Sequence, residues 1–283
     1  MIRRNKEKMR LILDSHVEQG IPFTMKLTNQ RTEIKSKLGH YMNKESEFPT
    51  KELNFIKSVK QYIIKNELYN IIPDYFKTEE AKSEIKYYSY NNKFKSGQVV
   101  HKCIEVDMKS AYWEMLFKLL PLPKKMYEKG NLVSKKSRLA AVGSCAKVVE
   151  KIEFDGEKYI EEPLKRSEQT EHVWNAICFE VGKIMSQVAK ECGKDFIFFW
   201  VDAMFVETKS LEKVKKIFSE HGFRYSVDPC KYVKFNDNNL IVKGKGKWVE
   251  VDGELYYSTE REFPYKPKGV DDIFKNKSII TKK

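Results

Sequence analysis

The segment Ile104-Glu105-Val106-Asp107-Met108-Lys109-Ser110-Ala111-Tyr112-Trp113 guides the interpretation of the whole chain. It has the character of a buried strand that ends on Asp107 and turns directly into a helix. A second segment, Phe196-Ile197-Phe198-Phe199-Trp200-Val201-Asp202-Ala203-Met204-Phe205-Val206, is a long apolar run with a single acid in its middle. We expect two neighbouring strands that each carry one aspartate. Such a pair of carboxylates would form a divalent-metal site.

Asp202 is the more unusual of the two acids, because an ionised carboxylate buried among apolar residues is costly unless it is paired. The alternative interpretation is a structural aspartate at a strand bend, capped by backbone amides. Asp107 favours the metal site, since two adjacent carboxylates repel each other and Mg²⁺ relieves that repulsion. Two such ions could activate a 3′-hydroxyl and stabilise a leaving pyrophosphate.

The charge of the chain favours a polyanionic partner. The 283 residues carry a formal net charge of +13, and the pI is about 9.2. Nucleic acid is the commonest partner of so basic a chain. A Lys-rich proteome would give the same charge without such a partner.

The cysteines and the apolar runs indicate the cellular compartment of the protein. Five widely spaced cysteines without a C-x-x-C pair argue against a disulfide framework and against a zinc site. The sequence shows no signal peptide and no membrane span. We therefore expect a soluble, cytoplasmic protein. The five histidines form no cluster and receive no role.

Helices and hairpins are interspersed along the chain, which predicts the α+β class. The region from Met1 to about Phe76 is expected to be mainly helical, with a helix that starts at Pro49-Thr50 and uses Thr50 as its N-cap. The remaining expected elements are a strand over 99–107, helices over 110–120, 134–150, 167–192 and 211–221, and hairpins at Asp155-Gly156 and Asp252-Gly253.

The helix expected over 134–150 begins with a cluster of cations. Lys135, Lys136 and Arg138 could hold a triphosphate. Cations at this end oppose the helix dipole, which favours an anionic partner there. A solvated helix start is the alternative.

Three segments resemble the motifs of family B DNA polymerases, in the same order along the chain. Asp107-Met108-Lys109-Ser110-Ala111-Tyr112 resembles D-x-x-S-L-Y. Lys135 to Gly143 resembles the K-x-x-x-N-S-x-Y-G helix, and Phe198 to Val206 resembles Y-x-D-T-D-S, with Asp202 on the second aspartate. The similarity covers roughly Tyr90 to Tyr232 and is nearest to the protein-primed phage branch.

The resemblance implies a role for each matching residue. Asp107 and Asp202 would be the catalytic metal ligands, with the Met108 carbonyl as a third ligand, and Tyr112 would lie under the incoming sugar and exclude a 2′-hydroxyl. The other implied roles are nucleotide binding by Lys135, Arg138 and Gly143, and primer-strand binding by Lys231 and Tyr232. The implied cofactor is Mg²⁺, with Mn²⁺ as a substitute.

The sequence also departs from the family motifs. Trp200 replaces the first aspartate of the third motif, and Ala203 replaces its serine. Leu139, Ala140 and Val142 replace the Asn, Ser and Tyr of the helix motif, which puts base-pair checking in doubt.

The resemblance implies a polymerase-type palm, an antiparallel sheet backed by helices. The expected domains are a helical N-terminal region over 1–86, a palm over 87–228 with a reduced fingers insertion at about 121–150, and a short thumb-like region with a basic tail over 229–283. No proofreading domain is expected.

The function expected from these features is DNA polymerase or nucleotidyltransferase activity that adds deoxynucleotides to a 3′-end. Its partners would be a DNA primer and template or single-stranded DNA, deoxynucleoside triphosphates, and a replication or phage protein. The cytoplasm of a bacterial host would be the location of a phage-encoded enzyme. Template-independent addition or priming stays open. The alternatives are a palm-derived nucleic-acid-binding or assembly protein and, less well supported by the motifs, a metal-dependent nuclease.

Overall fold

The chain divides into two units, each made of two separate segments. The computed structural model describes residues 2–3, 6–28, 31–44, 48–146, 148–161, 165–166, 169–251, 254–267 and 277–279. The first unit comprises Met1–Thr78 and Leu116–Ala176, and the second comprises Glu79–Met115 and Ile177–Lys283.

The α-helices of the described residues range from one and a half turns to about six turns. They are α1 (Lys6–Glu18), α2 (Thr50–Lys65), α3 (Glu79–Glu84), α4 (Ala111–Leu119), α5 (Lys124–Asn131), α6 (Lys135–Gly143), α7 (Glu171–Cys192) and α8 (Leu211–Glu220).

The strands form three sheets. They are β1 (Ile2–Arg3), β2 (Phe23–Thr28), β3 (Arg31–Ser36), β4 (Gly39–Lys44), β5 (Tyr88–Tyr90), β6 (Val99–Val100), β7 (Cys103–Met108), β8 (Val148–Phe154), β9 (Tyr159–Glu161), β10 (Lys165–Arg166), β11 (Phe196–Trp200), β12 (Ala203–Glu207), β13 (Tyr225–Cys230), β14 (Tyr232–Phe235), β15 (Asn239–Val251), β16 (Glu254–Pro264) and β17 (Lys277–Ile279).

The first unit contains a seven-stranded sheet in the order β1-β4-β3-β2-β8-β10, with β9 also paired to β8. Apolar residues at every second position of β2 point to one face, where Phe23 and Met25 pack with Met9 of α1. Ile34 and Phe154 complete this buried cluster. The sheet and α1 therefore share one hydrophobic core.

The N-terminal region is not mainly helical as expected, because residues 23–44 form the meander β2-β3-β4. The segment Phe23-Thr24-Met25-Lys26-Leu27 alternates apolar and polar residues, which is the period of a half-buried strand. The expected N-cap also moves by one position: Pro49 precedes the first turn of α2, and no side chain caps it.

Two other expected elements differ in extent from those in the structure. The helix expected over 134–150 ends at Gly143 as α6, and β8 begins at Val148. The strand expected over 99–107 is interrupted at Lys102, whose φ is +55°. As a result, β6 and β7 belong to different sheets.

The second unit contains the central sheet, with strand order β13-β7-β12-β11-β5. All its pairings are antiparallel. Every residue of β11 is buried, which explains the continuous apolar run of that strand. Helix α8 contacts β7 and buries Val214, Ile217 and Phe218.

A second sheet of this unit, the C-terminal sheet, has the order β17-β16-β15-β14-β6. Its strand β16 packs on the central sheet through Phe263, whose ring lies 5.2 Å from Phe198 and 5.8 Å from Phe205. The expected hairpin residues Asp252 and Gly253 lie outside the described residues, between paired Val251 and Glu254.

The expected domains stay predictions, and they divide between the two units as follows. Residues 116–176, which include the expected fingers insertion, group with residues 1–78 in the first unit. The expected palm is divided between the two units, and the expected thumb-like region falls in the second. Among the described residues, no helix is long and apolar enough to cross a bilayer. All five cysteines are buried and free.

Candidate active site

Asp107 and Asp202 lie at the same end of the central sheet, on adjacent strands. Asp107 is paired in register with Ala203, the residue after Asp202. The backbone N–H of Met108 donates to the carbonyl oxygen of Asp202 at 3.0 Å. This bond makes Asp107 and Ala203 a closely spaced pair, for which the Cα atoms are about 4.5 Å apart. The backbone therefore fixes the two aspartates near each other.

Asp202 occupies a two-residue turn between β11 and β12 that carries backbone strain. Val201, the first turn residue, has φ of +58°, a conformation that a β-branched residue rarely adopts. Its N–H donates to the carbonyl of Tyr87 at 2.6 Å. Ser110, close after Asp107, also has positive φ, at +56°. Strain of this kind clusters at functional sites.

The exposure of the two aspartates suits a ligand. Both are half-buried, while the residues before them in β7 and β11 are buried. Two carboxylates can hold Mg²⁺ when phosphate oxygens and water complete its shell. No group of three or more His, Cys, Asp or Glu side chains suited to a metal occurs in the described part of the chain. The donors present therefore fit a hard cation shared with a substrate.

Tyr112 lies in the first turn of α4 and is buried, with 5% of its surface exposed. Burial raises the pKa of its phenol well above the ordinary value, and Cys178 and the charge of Asp202 add to the rise. Tyr112 is thus close enough to Asp202 to feel its charge. The Met108 side chain is fully buried.

A buried ion pair beside Asp107 was missed by the sequence analysis. Glu105 and Arg261 form two parallel hydrogen bonds of 3.0 Å and 2.5 Å. Although burial disfavours the charge of Arg261, the hydrogen bonds to Glu105 keep the pKa of the guanidinium above its ordinary value. The two residues are far apart in sequence, and only the alternation Glu105-Val106-Asp107 hinted that Glu105 shares a face with Asp107.

Trp200 occupies the position at which the family motif has its first aspartate. It is buried and stacks on Tyr88 at 5.3 Å, and it contacts Phe263 edge-on at 5.4 Å. Trp200 is therefore part of an aromatic core. The segment that resembles the third motif has one carboxylate, that of Asp202.

Lys135 and Lys136 are exposed at the start of α6, in the first unit. The anion at this helix end is the carboxylate of Glu52 from α2, which accepts hydrogen bonds from the hydroxyls of Ser134 and Ser137. The hydrogen bond from Ser137 outweighs burial and lowers the pKa of Glu52. The chain thus supplies its own anion where a phosphate was expected.

Arg138 also belongs to α6, and its guanidinium makes contacts within the first unit. It donates to the carbonyls of Gly130 at 3.0 Å and Val133 at 2.8 Å. These bonds tie the end of α5 to the start of α6. Gly143, at the end of α6, has open space where a Cβ would be.

Lys231 and Tyr232 are in the second unit, at the start of β14. Lys231 is exposed, and its N–H donates to the carbonyl of Lys243 at 2.7 Å. The Tyr232 hydroxyl donates to Glu260 at 2.7 Å, which raises the pKa of the phenol to about 12. The structure therefore groups Asp107, Met108, Tyr112 and Asp202, while Lys231 and Tyr232 lie in a different sheet of the same unit.

Comparison with known proteins finds similarity at the level of three-dimensional structure. No family model and no curated protein matches the chain. Phi29 DNA polymerase with primer–template DNA aligns with 80% of this chain at 11% identity and a TM-score of 0.48, and the alignment spans 61% of that polymerase. Phi29 DNA polymerase with single-stranded DNA aligns with 87% of this chain and 78% of its own, at 11% identity and a TM-score of 0.44.

Proposed function

We propose that this chain is a compact, family B-like DNA polymerase or nucleotidyltransferase that adds deoxynucleotides to a 3′-end. The observation that carries the proposal is the pair of half-buried aspartates on adjacent antiparallel strands, joined by the hydrogen bond from Met108 to Asp202. The strained turn at Val201 supports a functional role for this end of the sheet.

Asp107 and Asp202 would hold divalent cations, Mg²⁺ or in its place Mn²⁺, with the Met108 carbonyl as a further ligand. The ions would stabilise the charge that develops on the attacking and leaving oxygens. The protein's contribution is the strand register, which places the backbones of the two aspartates next to each other before any substrate binds.

Tyr112 would control the choice of sugar. Its ring is buried and close to Asp202, so it has little freedom to move away from a bound nucleotide. A rigid ring beside the sugar would exclude a 2′-hydroxyl by its bulk. Deoxynucleotides would then be preferred over ribonucleotides.

The remaining roles are further parts of the proposal. Lys135 and Arg138 would bind the nucleotide phosphates, and the Gly143 backbone would line the nascent base pair. Lys231 and Tyr232 would hold the primer strand. The net charge of +13 supports a nucleic-acid partner. A phage or replication protein would be the protein partner, in the cytoplasm of a bacterial host.

Primer extension tests the function directly. Each deoxynucleotide is supplied with Mg²⁺ or Mn²⁺, with and without a template, beside the Asp202→Ala variant. Extension by the wild type that disappears in the variant would support the enzyme, and its template dependence would separate copying from untemplated addition. Full activity in the variant would contradict the assigned site.

A second candidate is a palm-derived DNA-binding or assembly protein that does not polymerise. Trp200 favours it, because the first aspartate position of the third motif is filled by a buried aromatic residue. This candidate predicts salt-sensitive DNA binding without extension under any metal condition.

A further inference from the structure

We propose that Arg261 is a positioning residue that keeps Glu105 out of the metal site, so that the site is limited to Asp107 and Asp202. This inference rests on the metal site of the proposed function. It assigns a role to the Glu105–Arg261 pair and explains why a third nearby carboxylate does not join the site.

Glu105 is placed where it could compete for a cation. It precedes Asp107 by two positions in β7, so both side chains point to the same face of the central sheet. Alternate residues of a strand are about 7 Å apart, and two carboxylates at that spacing can approach one ion. An unrestrained Glu105 would therefore be an additional ligand.

Arg261 restrains Glu105 through geometry. The guanidinium binds both carboxylate oxygens, at 3.0 Å and 2.5 Å, and its planar fork fixes the direction of the carboxylate. The pair is largely buried, with side-chain exposures of 18% for Arg261 and 11% for Glu105. Its release would leave two unpaired charges in an apolar environment, which is costly.

The aromatic residues around Arg261 limit its own movement. Its guanidinium carbon lies 5.7 Å from the centre of the Phe205 ring and 5.5 Å from that of Phe263. Contacts of a cation with aromatic faces at this distance are favourable. Phe205 belongs to β12 of the central sheet, and Phe263 lies two residues after Arg261 in β16, so the guanidinium is held between its own strand and the central sheet.

A neighbouring pair follows the same arrangement. Asp228 of β13 is in register with Glu105 and lies on the same face of the central sheet. Lys245 of the C-terminal sheet pairs with it at 3.7 Å. The C-terminal sheet therefore supplies a cation to each of these two carboxylates, although Lys245 is far more exposed than Arg261.

Replacing one member of the Glu105–Arg261 pair changes the charge beside Asp107, and the sign of that change predicts whether a divalent cation binds more or less tightly. While it is intact, Glu105 and Arg261 together add no net charge beside Asp107. Glu105→Gln would leave the positive charge of Arg261 there and weaken the binding of a divalent cation. Arg261→Gln would leave the negative charge of Glu105 and strengthen it. A purely structural pair would weaken cation binding in both variants.

Mn²⁺ binding to the full chain, measured by electron paramagnetic resonance without DNA or nucleotide, tests the inference. We expect the dissociation constant to rise about tenfold in Glu105→Gln and to fall by a similar factor in Arg261→Gln. The double variant should return to near the wild-type value. Asp107→Asn should remove most of the binding in every background.

Matched controls come from α8, where Glu212 and Lys215 form an exposed pair at 2.7 Å. Glu212→Gln and Lys215→Gln change the net charge by the same amounts and should leave Mn²⁺ binding unchanged. If Arg261→Gln does not fold, Glu105→Gln and the double variant decide: weaker binding in Glu105→Gln that returns to near the wild-type value in the double variant supports the inference, and weaker binding in both, or unchanged binding in Glu105→Gln, overturns it.

Other outcomes separate this inference from the proposed function. Weaker binding in both single variants, or Mn²⁺ binding that ignores Asp107→Asn, would overturn the role of Arg261 even if primer extension succeeds. The expected opposite shifts without any primer extension would support Arg261 as a positioning residue and reject the polymerase. A wild type that binds no Mn²⁺ at millimolar concentrations would overturn the inference.

Discussion

Asp107 and Asp202 are brought together by backbone pairing, whereas the charged residues at the start of α6 are held by side-chain contacts. At the aspartates, strand register and the bond from Met108 to Asp202 determine the spacing. At α6, Ser134 caps the helix, the Glu52 carboxylate from α2 accepts hydrogen bonds from the hydroxyls of Ser134 and Ser137, and Arg138 binds backbone carbonyls.

The aspartate pair and the start of α6 differ in how much each would have to rearrange in order to bind a substrate. In the proposed function the aspartates would need only a cation, because the register of the sheet already places their backbones side by side. The start of α6 already has an anion beside it, the carboxylate of Glu52, which the hydroxyls of Ser134 and Ser137 bind. A phosphate would therefore have to bind next to this carboxylate or replace it.

The largest expected effect is on primer extension, in variants of the aspartate pair and of the start of α6. Asp107→Asn should slow primer extension about a thousandfold, because an amide cannot neutralise a divalent cation. Lys135→Ala should raise the KM for the nucleotide only about tenfold, the value of one charge-assisted hydrogen bond. Single-turnover extension over a range of nucleotide concentrations measures both. Equal losses in the two variants would remove the distinction between the regions.

The next largest effect is on the free energy of unfolding, to which Arg138 is expected to contribute. Arg138→Ala should lower the free energy of unfolding by about 2 kcal/mol, because two backbone carbonyls lose their donor. Lys136→Ala is the matched control from the same helix end. Lys136 is exposed and lies 5.7 Å from the Phe48 ring, so its loss should cost about 0.5 kcal/mol. Urea denaturation measures both, and an unchanged Arg138→Ala protein would show that these bonds contribute no stability.

Glu52 gives a pH-dependent test of the same region. Its pKa is lowered from 4.5 in the folded chain, so its ionised form contributes stability above about pH 4.5, and that contribution is lost as the pH falls through the lower folded pKa. The stability difference between wild type and Glu52→Gln should therefore be larger at pH 7 than at pH 3. Chemical denaturation at both pH values measures it, with exposed Glu18→Gln as control. A stability difference between wild type and Glu52→Gln that does not shrink at pH 3 would argue against a stabilising role for Glu52 at the start of α6.

The smallest expected effect is at Gly143. A Cβ there would meet no atom within 4 Å, so Gly143→Ala should change the free energy of unfolding by no more than about 0.5 kcal/mol. A loss of extension without a loss of stability would indicate that the backbone at this position contacts substrate. Unchanged extension would remove Gly143 from the proposed nucleotide site.

The sequence predicted best where local patterns determine structure. The strand that ends near Asp107 and the helix after it follow from an apolar run that ends on an acid. The apolar run around Asp202 was expected to be one strand, whereas the structure divides it into β11 and β12 at Val201 and Asp202. The meander β2-β3-β4 was missed although Phe23, Met25 and Leu27 alternate correctly, because the whole region up to about Phe76 was interpreted as mainly helical.

Side-chain contacts between residues far apart in the chain could not be predicted from the sequence. Glu52 accepts hydrogen bonds from Ser134 and Ser137 at the start of α6, and Arg261 binds Glu105 from the opposite end of the second unit's sequence. Neither pairing has a local signature, since both depend on which surfaces meet after the strands pair. The roles of the other predicted site residues stay predictions.

The division of each unit between two segments has a consequence for biosynthesis. β7, which carries Asp107, is translated long before β12 and β13, the strands that flank it, because the second segment of its unit starts only at Ile177. Neither flanking position of β7 can be filled while residues 116–176 are emerging from the ribosome. Sheets with such distant partners fold slowly, because a long loop must close before its contacts form. A nascent chain stalled before residue 196 would therefore expose β7 as an unpaired strand, a target for chaperones.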